Sequence, residues 1–279
     1  MRNRRNTWFI TGCSTGGLGE GIALAALQQG DNVIATARSL DKLQPLLSAY
    51  PESCVGVILD VTSSESIDNA LYEAKKRFGQ IDYLVNNAGY AYRCAVEEGD
   101  SEGIAQLYKT NLMGPIELIQ KVLPDMRQKQ SGAIINISSV SAYFSQAGSA
   151  YYASTKAALE LLSDGLAKEV ATFGVKVMLV ELSAFKTNFH STSLRESSTK
   201  IDAYASTWAT RPGHFDPAKK IVTGDPLKGG KIIVDIIEKD DYPFRLVLGS
   251  SAVSSIEKTL KDRLDELEKW KSVSVLSDI

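Results

Sequence analysis

The chain is short of the residues that would tie it together covalently or around a metal. Its three cysteines, Cys13, Cys54 and Cys94, are odd in number, far apart and without ligand spacing. That argues against a disulfide framework and for reduced thiols in a cytoplasmic protein. The only histidines, His190 and His214, have no cysteine or carboxylate at ligand spacing, so no metal site is expected. No apolar run is long enough to span a bilayer. The basic opening at residues 1–5 leads into a short apolar stretch that breaks at once into Gly and Ser, as a first strand does and a signal peptide does not. Charge is balanced as well, with 31 Lys and Arg against 33 Asp and Glu for a net charge of −2, so neither a nucleic-acid surface nor stable membrane insertion is expected.

What the chain does have is a full core and a strict alternation of elements. Of its 279 residues 44% are hydrophobic and 23% charged, a soluble globular balance. Buried strands are read at 7–11, 32–36, 55–60, 81–86, 133–138 and 175–181. Helices are read between them at 18–29, 41–49, 64–78, one or two segments within 102–127 broken near Pro115 and Pro124, and 149–173. Strand and helix joined by short links, with near-continuous apolar strands, predict a doubly wound, mostly parallel α/β sheet covered by helices on both faces. A helix at 225–238 and a seventh strand at 244–248 follow. With no repeat and no linker, residues 1–279 read as one domain.

The stretch from Asn136 to Leu159 concentrates the chemistry. Tyr152 and Lys156 are four apart, hence one turn apart on one helix face. An ammonium beside a phenol favours the phenolate and lowers its pKa from about 10, which makes Tyr152 a proton donor or acceptor for a hydroxyl/carbonyl pair. Ser139 closes the preceding strand, at the sheet edge where α/β proteins place ligands. The spacing has an internal control: Tyr72 and Lys76 are also four apart, in a charged stretch read as solvent-facing. Tyr151 is a rival, but Thr155 one turn on supplies no charge.

Gly12, Gly16, Gly17, Gly19 and Gly21 join the first strand to the first helix, where a tight turn and free helix N–H groups suit a pyrophosphate. The second strand ends in Thr36-Ala37-Arg38, without the acidic residue that would take a ribose 2′-hydroxyl, and Arg38 suits a 2′-phosphate. NADP(H) is therefore favoured, and Asp41 is read as a helix cap.

Together these segments resemble the short-chain dehydrogenase/reductase family over nearly the whole chain, which implies a single-domain Rossmann fold. Thr11-Gly12 with Gly16 and Gly19 resembles the family's cofactor motif. Asp60-Val61 resembles its adenine-contacting pair, and Asn86-Asn87-Ala88-Gly89 its N-N-A-G motif. Asn111, Ser139, Tyr152 and Lys156 match its catalytic tetrad, with Ser139 thirteen residues before Tyr152. The resemblance implies cofactor binding by Gly12, Ser14, Thr15 and the run Gly16, Gly17, Leu18, Gly19. It adds Arg38, Asp60, Val61, Asn87, Ala88, Gly89 and Thr187, along with Asn111, Tyr152 and Lys156. It further implies that Tyr152 gives a proton to a carbonyl as hydride arrives and that Ser139 holds that oxygen. Lys156 would lower the Tyr152 pKa and bind ribose hydroxyls, while Asn111 would hold a water leading to solvent. Two departures stand out. The glycine motif carries one extra residue, so that either Gly16 or Gly17 can take the middle role, and Leu182-Ser183 replaces the usual Pro-Gly.

From about 184 to 224 periodicity fades, and a substrate lid is expected there, with Phe185, Phe189, Tyr204, Trp208 and Phe215 suggesting an apolar substrate or pins to the body. Tyr90, Tyr92 and Tyr143 are candidates for the same cleft. A charged amphipathic helix at about 255–271 presents Ile256, Leu260, Leu264, Leu267 and Trp270, expected to pack on the body or to make a homodimer or homotetramer contact. The expected activity is NADP(H)-dependent interconversion of a ketone or aldehyde and an alcohol on a mostly apolar small molecule. The alternative is a non-catalytic NADP(H)-binding sensor or scaffold.

Overall fold

The computed structural model describes residues 4–187, 189, 193–205, 224–239 and 242–279. A seven-stranded, all-parallel sheet forms its centre. Its strands are β1 (Thr7–Ile10), β2 (Asn32–Ala37), β3 (Cys54–Ile58), β4 (Tyr83–Asn86), β6 (Gly132–Ile137), β7 (Val175–Leu182) and β9 (Arg245–Leu248). They lie in the order β3-β2-β1-β4-β6-β7-β9. Two short strands, β5 (Ala91–Arg93) and β8 (Leu194–Glu196), pair in parallel apart from it.

The strands divide their side chains between two cores, as a period of two requires. Trp8 and Ile10 enter one core and Phe9 the other; Val33 and Ala35 are likewise split from Ile34, and Ala133 and Ile135 from Ile134. The first core lies under α1 (Leu18–Gln28), α2 (Gln44–Ala49) and α7 (Pro226–Ile237). The second lies under α3 (Ser64–Phe78), α5 (Gly114–Lys129) and α6 (Ala150–Val170). Helices α1 and α7 meet backbone to backbone: a Cβ on Gly21 would lie 2.2 Å from the Pro226 carbonyl oxygen, and one on Gly230 2.2 Å from Gly21.

Several expectations shift. The helix read at 41–49 splits into a 3₁₀ turn, Leu40–Leu43, and α2. Asp41 therefore sits inside the turn and caps nothing; its carboxylate accepts a long bond from the Ser39 hydroxyl, 3.4 Å. The segment after residue 100 is α4 (Ser101–Tyr108), a π turn (Lys109–Met113) and α5. Pro115 occupies the first turn of α5, where its missing N–H costs nothing, whereas Pro124 lies within α5 without ending it. The last helix, α8, runs over Ser250–Ser274, longer than its periodicity indicated. Strands β5 and β8 went unread because three-residue strands leave almost no pattern. Among the described residues no helix is long and apolar enough to cross a membrane.

Candidate active site

Strand order reverses between β1 and β4, and a parallel sheet opens a crevice at such a point, beyond the carboxyl ends of its strands. Thr11 and Asn87 stitch that crevice together. The Thr11 hydroxyl accepts from the backbone N–H groups of Asn87 and Ala88, both at 2.9 Å. The Asn87 amide donates to the carbonyls of Thr11 and Gly12 at 2.8 and 3.0 Å. Gly12 takes a positive φ of 73°. A Cβ on Gly19 would lie 2.5 Å from the Gly12 oxygen and 2.6 Å from the Asn87 amide nitrogen. Only glycine lets the start of α1 sit this close to the end of β1. Of the two candidates for the middle glycine, Gly16 takes a positive φ of 81°, while Gly17 is extended at the N-terminal boundary of α1 and supplies no side-chain cap.

The glycine turn is fastened to the link after β2. Thr15 donates to the Lys42 carbonyl from both its N–H and its hydroxyl, at 3.2 and 2.9 Å, and Cys13 N–H donates to Thr36 at 2.8 Å. Arg38 follows β2 directly and is exposed, as are Ser14 and Thr15. Asp60 lies beyond β3, where its carboxylate accepts from the Thr62 N–H and hydroxyl, and Val61 is buried. The glycine cradle, the uncapped N–H groups of α1 and an exposed guanidinium at the end of β2 fit a dinucleotide.

Two of the tetrad positions meet at Gly89: a Cβ there would lie 3.2 Å from the Asn111 side-chain oxygen and 3.8 Å from the Lys156 ammonium nitrogen. Asn111 sits in the π turn, a deformation often found at functional sites. Buried, it accepts from the Tyr90 N–H at 3.1 Å and donates to the Tyr90 carbonyl at 2.9 Å and to the Thr155 hydroxyl at 3.2 Å. Lys156 donates to the Ile137 carbonyl at 2.8 Å. Ser139, just past β6, accepts from the Ser141 N–H at 3.1 Å and hydrogen-bonds Tyr152. Tyr151 turns away, donating to the Val96 carbonyl at 2.8 Å.

Burial dominates the electrostatics. It pushes the Tyr152 phenol up, with the Ser139 hydrogen bond and the charge of Arg93 acting against it. It pulls Lys156 down to about 8, opposed by the Glu160 carboxylate. Against the expectation that Lys156 lowers the Tyr152 pKa, the net direction is upward, because burial outweighs the groups that act against it. The Lys156 ammonium is turned onto Ile137, 5.9 Å from the Tyr152 ring centroid, and the cation acting on the phenol is the buried Arg93 of β5.

Behind Lys156 lies a charge network that the sequence did not disclose. Glu160, one turn on, accepts from the Ser138 hydroxyl at 2.6 Å and from Arg245 at 2.5 Å. Arg245 also reaches Glu181 at 2.8 Å, and the Tyr143 hydroxyl donates to Glu181 at 3.1 Å. Two buried carboxylates, one guanidinium and one ammonium leave the cluster near neutrality, which makes its burial tolerable. The legible signal was Glu160 at helical spacing from Lys156. Arg93, Glu181 and Arg245 are distant in sequence and left no such signal.

The aromatic residues after β7 divide by role. Phe185 is buried in the first core against Gly224 and Gly229 and is a pin. Phe189 faces Tyr152, its ring centroid 6.0 Å away, and Thr187 accepts from the Phe189 N–H at 3.3 Å. Tyr204 is bound to Glu97 at the surface, 2.5 Å. Of the three further tyrosines, Tyr92 bonds Asp100, Tyr90 stacks near Arg195, 4.9 Å, and Tyr143 is held by Glu181. Trp208, Phe215, His190 and His214 lie outside the described residues. The neck of the segment is tied by a Phe185–Gly224 bridge. Buried Glu98 accepts from the N–H groups of Ala95 and Ile201, at 2.9 and 2.7 Å, and so joins the segment to the body. All three cysteines are free and buried, and burial pushes the thiols of Cys54 and Cys94 up to about 11.

Comparison with known proteins gives the family. Residues 6–198 match the family model described as short chain dehydrogenase. The chain is 35% identical to oxidoreductase BOA17 of Botryotinia fuckeliana over 97% of this chain and 98% of that one. It is 33% identical to oxidoreductase calM of Penicillium decumbens over 98% and 92%. The crystal structure of a short-chain dehydrogenase from Streptomyces avermitilis superposes with a TM-score of 0.91 at 39% identity, covering 100% of both chains.

Proposed function

Because the chain belongs to the short-chain dehydrogenase/reductase family of oxidoreductases, we propose that it is an NADP(H)-dependent carbonyl reductase, acting on the carbonyl of a mostly apolar small molecule. The observation that carries this reading is the convergence of Asn111, Ser139, Tyr152 and Lys156 in one crevice of the sheet. A nicotinamide dinucleotide bound along the glycine cradle supplies the hydride. Tyr152, a buried phenol held protonated, donates the proton to the carbonyl oxygen. Ser139, already hydrogen-bonded to Tyr152, steadies that oxygen as charge develops on it. Lys156 offers its ammonium to ribose hydroxyls, and Asn111 and the Tyr90 backbone lead the replacement proton inward through water.

Arg38, at the end of β2 with no carboxylate in the equivalent place, supports the phosphorylated cofactor. The whole chain acts as one domain in this reading, with residues 184–224 as its lid and Phe189 bringing an apolar surface to the reacting group. Three free, buried thiols suit a cytoplasmic protein. The test is consumption of NADPH beside NADH with a panel of aromatic, steroidal and acyl ketones. Arg38→Asp is expected to move preference towards NADH, and unchanged selectivity in that variant contradicts the cofactor assignment.

A further inference from the structure

Helix α8 leaves the body. Its first turns are held by Ala252 and Ile256, both buried, yet from Leu260 to Ile279 every residue is exposed. Leu260, Leu264, Leu267 and Trp270 are between 51% and 58% exposed. At 3.6 residues per turn, Leu260, Leu264 and Leu267 share one stripe about 60° wide, and it continues the line of Ile256. The opposite side of the helix is charged, carrying Lys258, Asp262, Asp265, Glu266 and Lys269. Helices in proteins gain most of their stability by burying an apolar stripe, and this one is left uncovered by the body. Among the described residues the body offers the projecting half one side-chain bond, from the Arg263 guanidinium to the Tyr143 carbonyl.

The charges beside the stripe select its occupant. Glu257 and Lys271 lie seven residues either side of Leu264, on its own line, while Lys261 and Glu268 lie along one flank; Glu268 and Lys271 are joined by a 3.2 Å ion pair. A second copy laid antiparallel across the stripe, with the twofold axis at Leu264, keeps this flank against itself. The alignment sets Glu257 opposite Lys271 along the seam and brings Lys261 on the flank within one residue of register with Glu268, each twice by symmetry. A parallel alignment would instead set Glu257 against Glu257 and Lys271 against Lys271 along the seam, and would turn the flank of Lys261 and Glu268 to the opposite flank of the partner. We propose that α8 is a self-association arm, pairing antiparallel with α8 of a second copy of this chain through Leu260, Leu264 and Leu267. Isologous contacts of this kind close a dimer, and flanking charges fix partner and orientation, as they do in helical pairs generally.

Sedimentation of the full chain tests it. The wild type is expected to sediment with twice the mass of Leu264→Glu, an exposed substitution whose far-UV dichroism should match the wild type. Lys261→Glu and Glu268→Lys should each weaken association about tenfold, and the double variant should restore it, because only the antiparallel alignment exchanges those two charges. A monomeric wild type would assign the stripe to a different protein and overturn the proposal. Equal mass in Leu264→Glu, as association through another face would give, also overturns it. Failure of the double variant to recover rules out the antiparallel alignment.

Discussion

Two Tyr-x-x-x-Lys pairs occupy two helices of this chain with the same internal geometry. On α3 the Lys76 nitrogen lies 5.9 Å from the Tyr72 ring centroid, and on α6 the Lys156 nitrogen lies 5.9 Å from that of Tyr152. Helical spacing dictates that distance, so it cannot separate a surface ornament from a reactive site. Burial and third partners do. Tyr72 is 64% exposed and Tyr152 8%. Lys76 has a loose ion pair with Glu73 at 3.7 Å, whereas Lys156 is held by a strand carbonyl and backed by Glu160. Water screens the first pair, and the second perturbs its own titration.

The contrast can be tested from its strongest point downward. Lys156→Ala should lower kcat/KM for carbonyl reduction by about 100-fold or more, within the range of a lost acid–base group. Steady-state NADPH oxidation would show it, and Lys76→Ala in the same assay should leave the rate unchanged. Arg245→Ala would leave Glu160 and Glu181 buried without their cation. Since Arg245 is partly exposed, the loss belongs at the lower end for a broken buried pair, about 3 kcal/mol in a denaturant titration.

A smaller, more pointed effect concerns pH. The ammonium of Lys156, with its pKa pulled to about 8, is lost in the native protein as pH rises through that value, so reductase activity should fall there. Between about 8 and the ordinary lysine value the unfolded chain binds the extra proton, so this group's destabilising contribution fades as pH rises. Glu160 opposes the downward shift, and Glu160→Gln should therefore move the alkaline limb to lower pH; an unmoved limb would show that Glu160 does not act through Lys156. Smallest of all, Lys76→Ala should cost less than about 0.5 kcal/mol of stability, the ordinary worth of an exposed helical pair, measured by thermal unfolding.

The fold was legible because parallel strands buried on both faces announce themselves as apolar runs, and turns such as Gly30-Asp31 punctuate them. Three of the tetrad positions were legible from element ends, Ser139 after β6 and Tyr152 and Lys156 near the start of α6, whereas Asn111 lies in a π turn and was carried by the family resemblance. What escaped depended on tertiary partners. Tyr152 was read with Lys156 as the cation acting on it, because only helical neighbours are visible in sequence. The structure brings in Arg93 from β5 and lets burial set the direction. Tyr92 was grouped with the cleft as an aromatic, yet Asp100 claims it; Phe185, read as facing the substrate or as pinning its segment to the body, is the pin. For α8, the periodicity showed which residues share a face but not that the body ends at Ile256.

The central claim is that burial and third partners, rather than spacing, make Tyr152 the acid. Its most direct test is one assay of NADPH oxidation against the ketone panel with wild type, Tyr152→Phe and Tyr72→Phe. The account predicts loss of at least about 100-fold for Tyr152→Phe and wild-type rates for Tyr72→Phe. Turnover retained by Tyr152→Phe would contradict it.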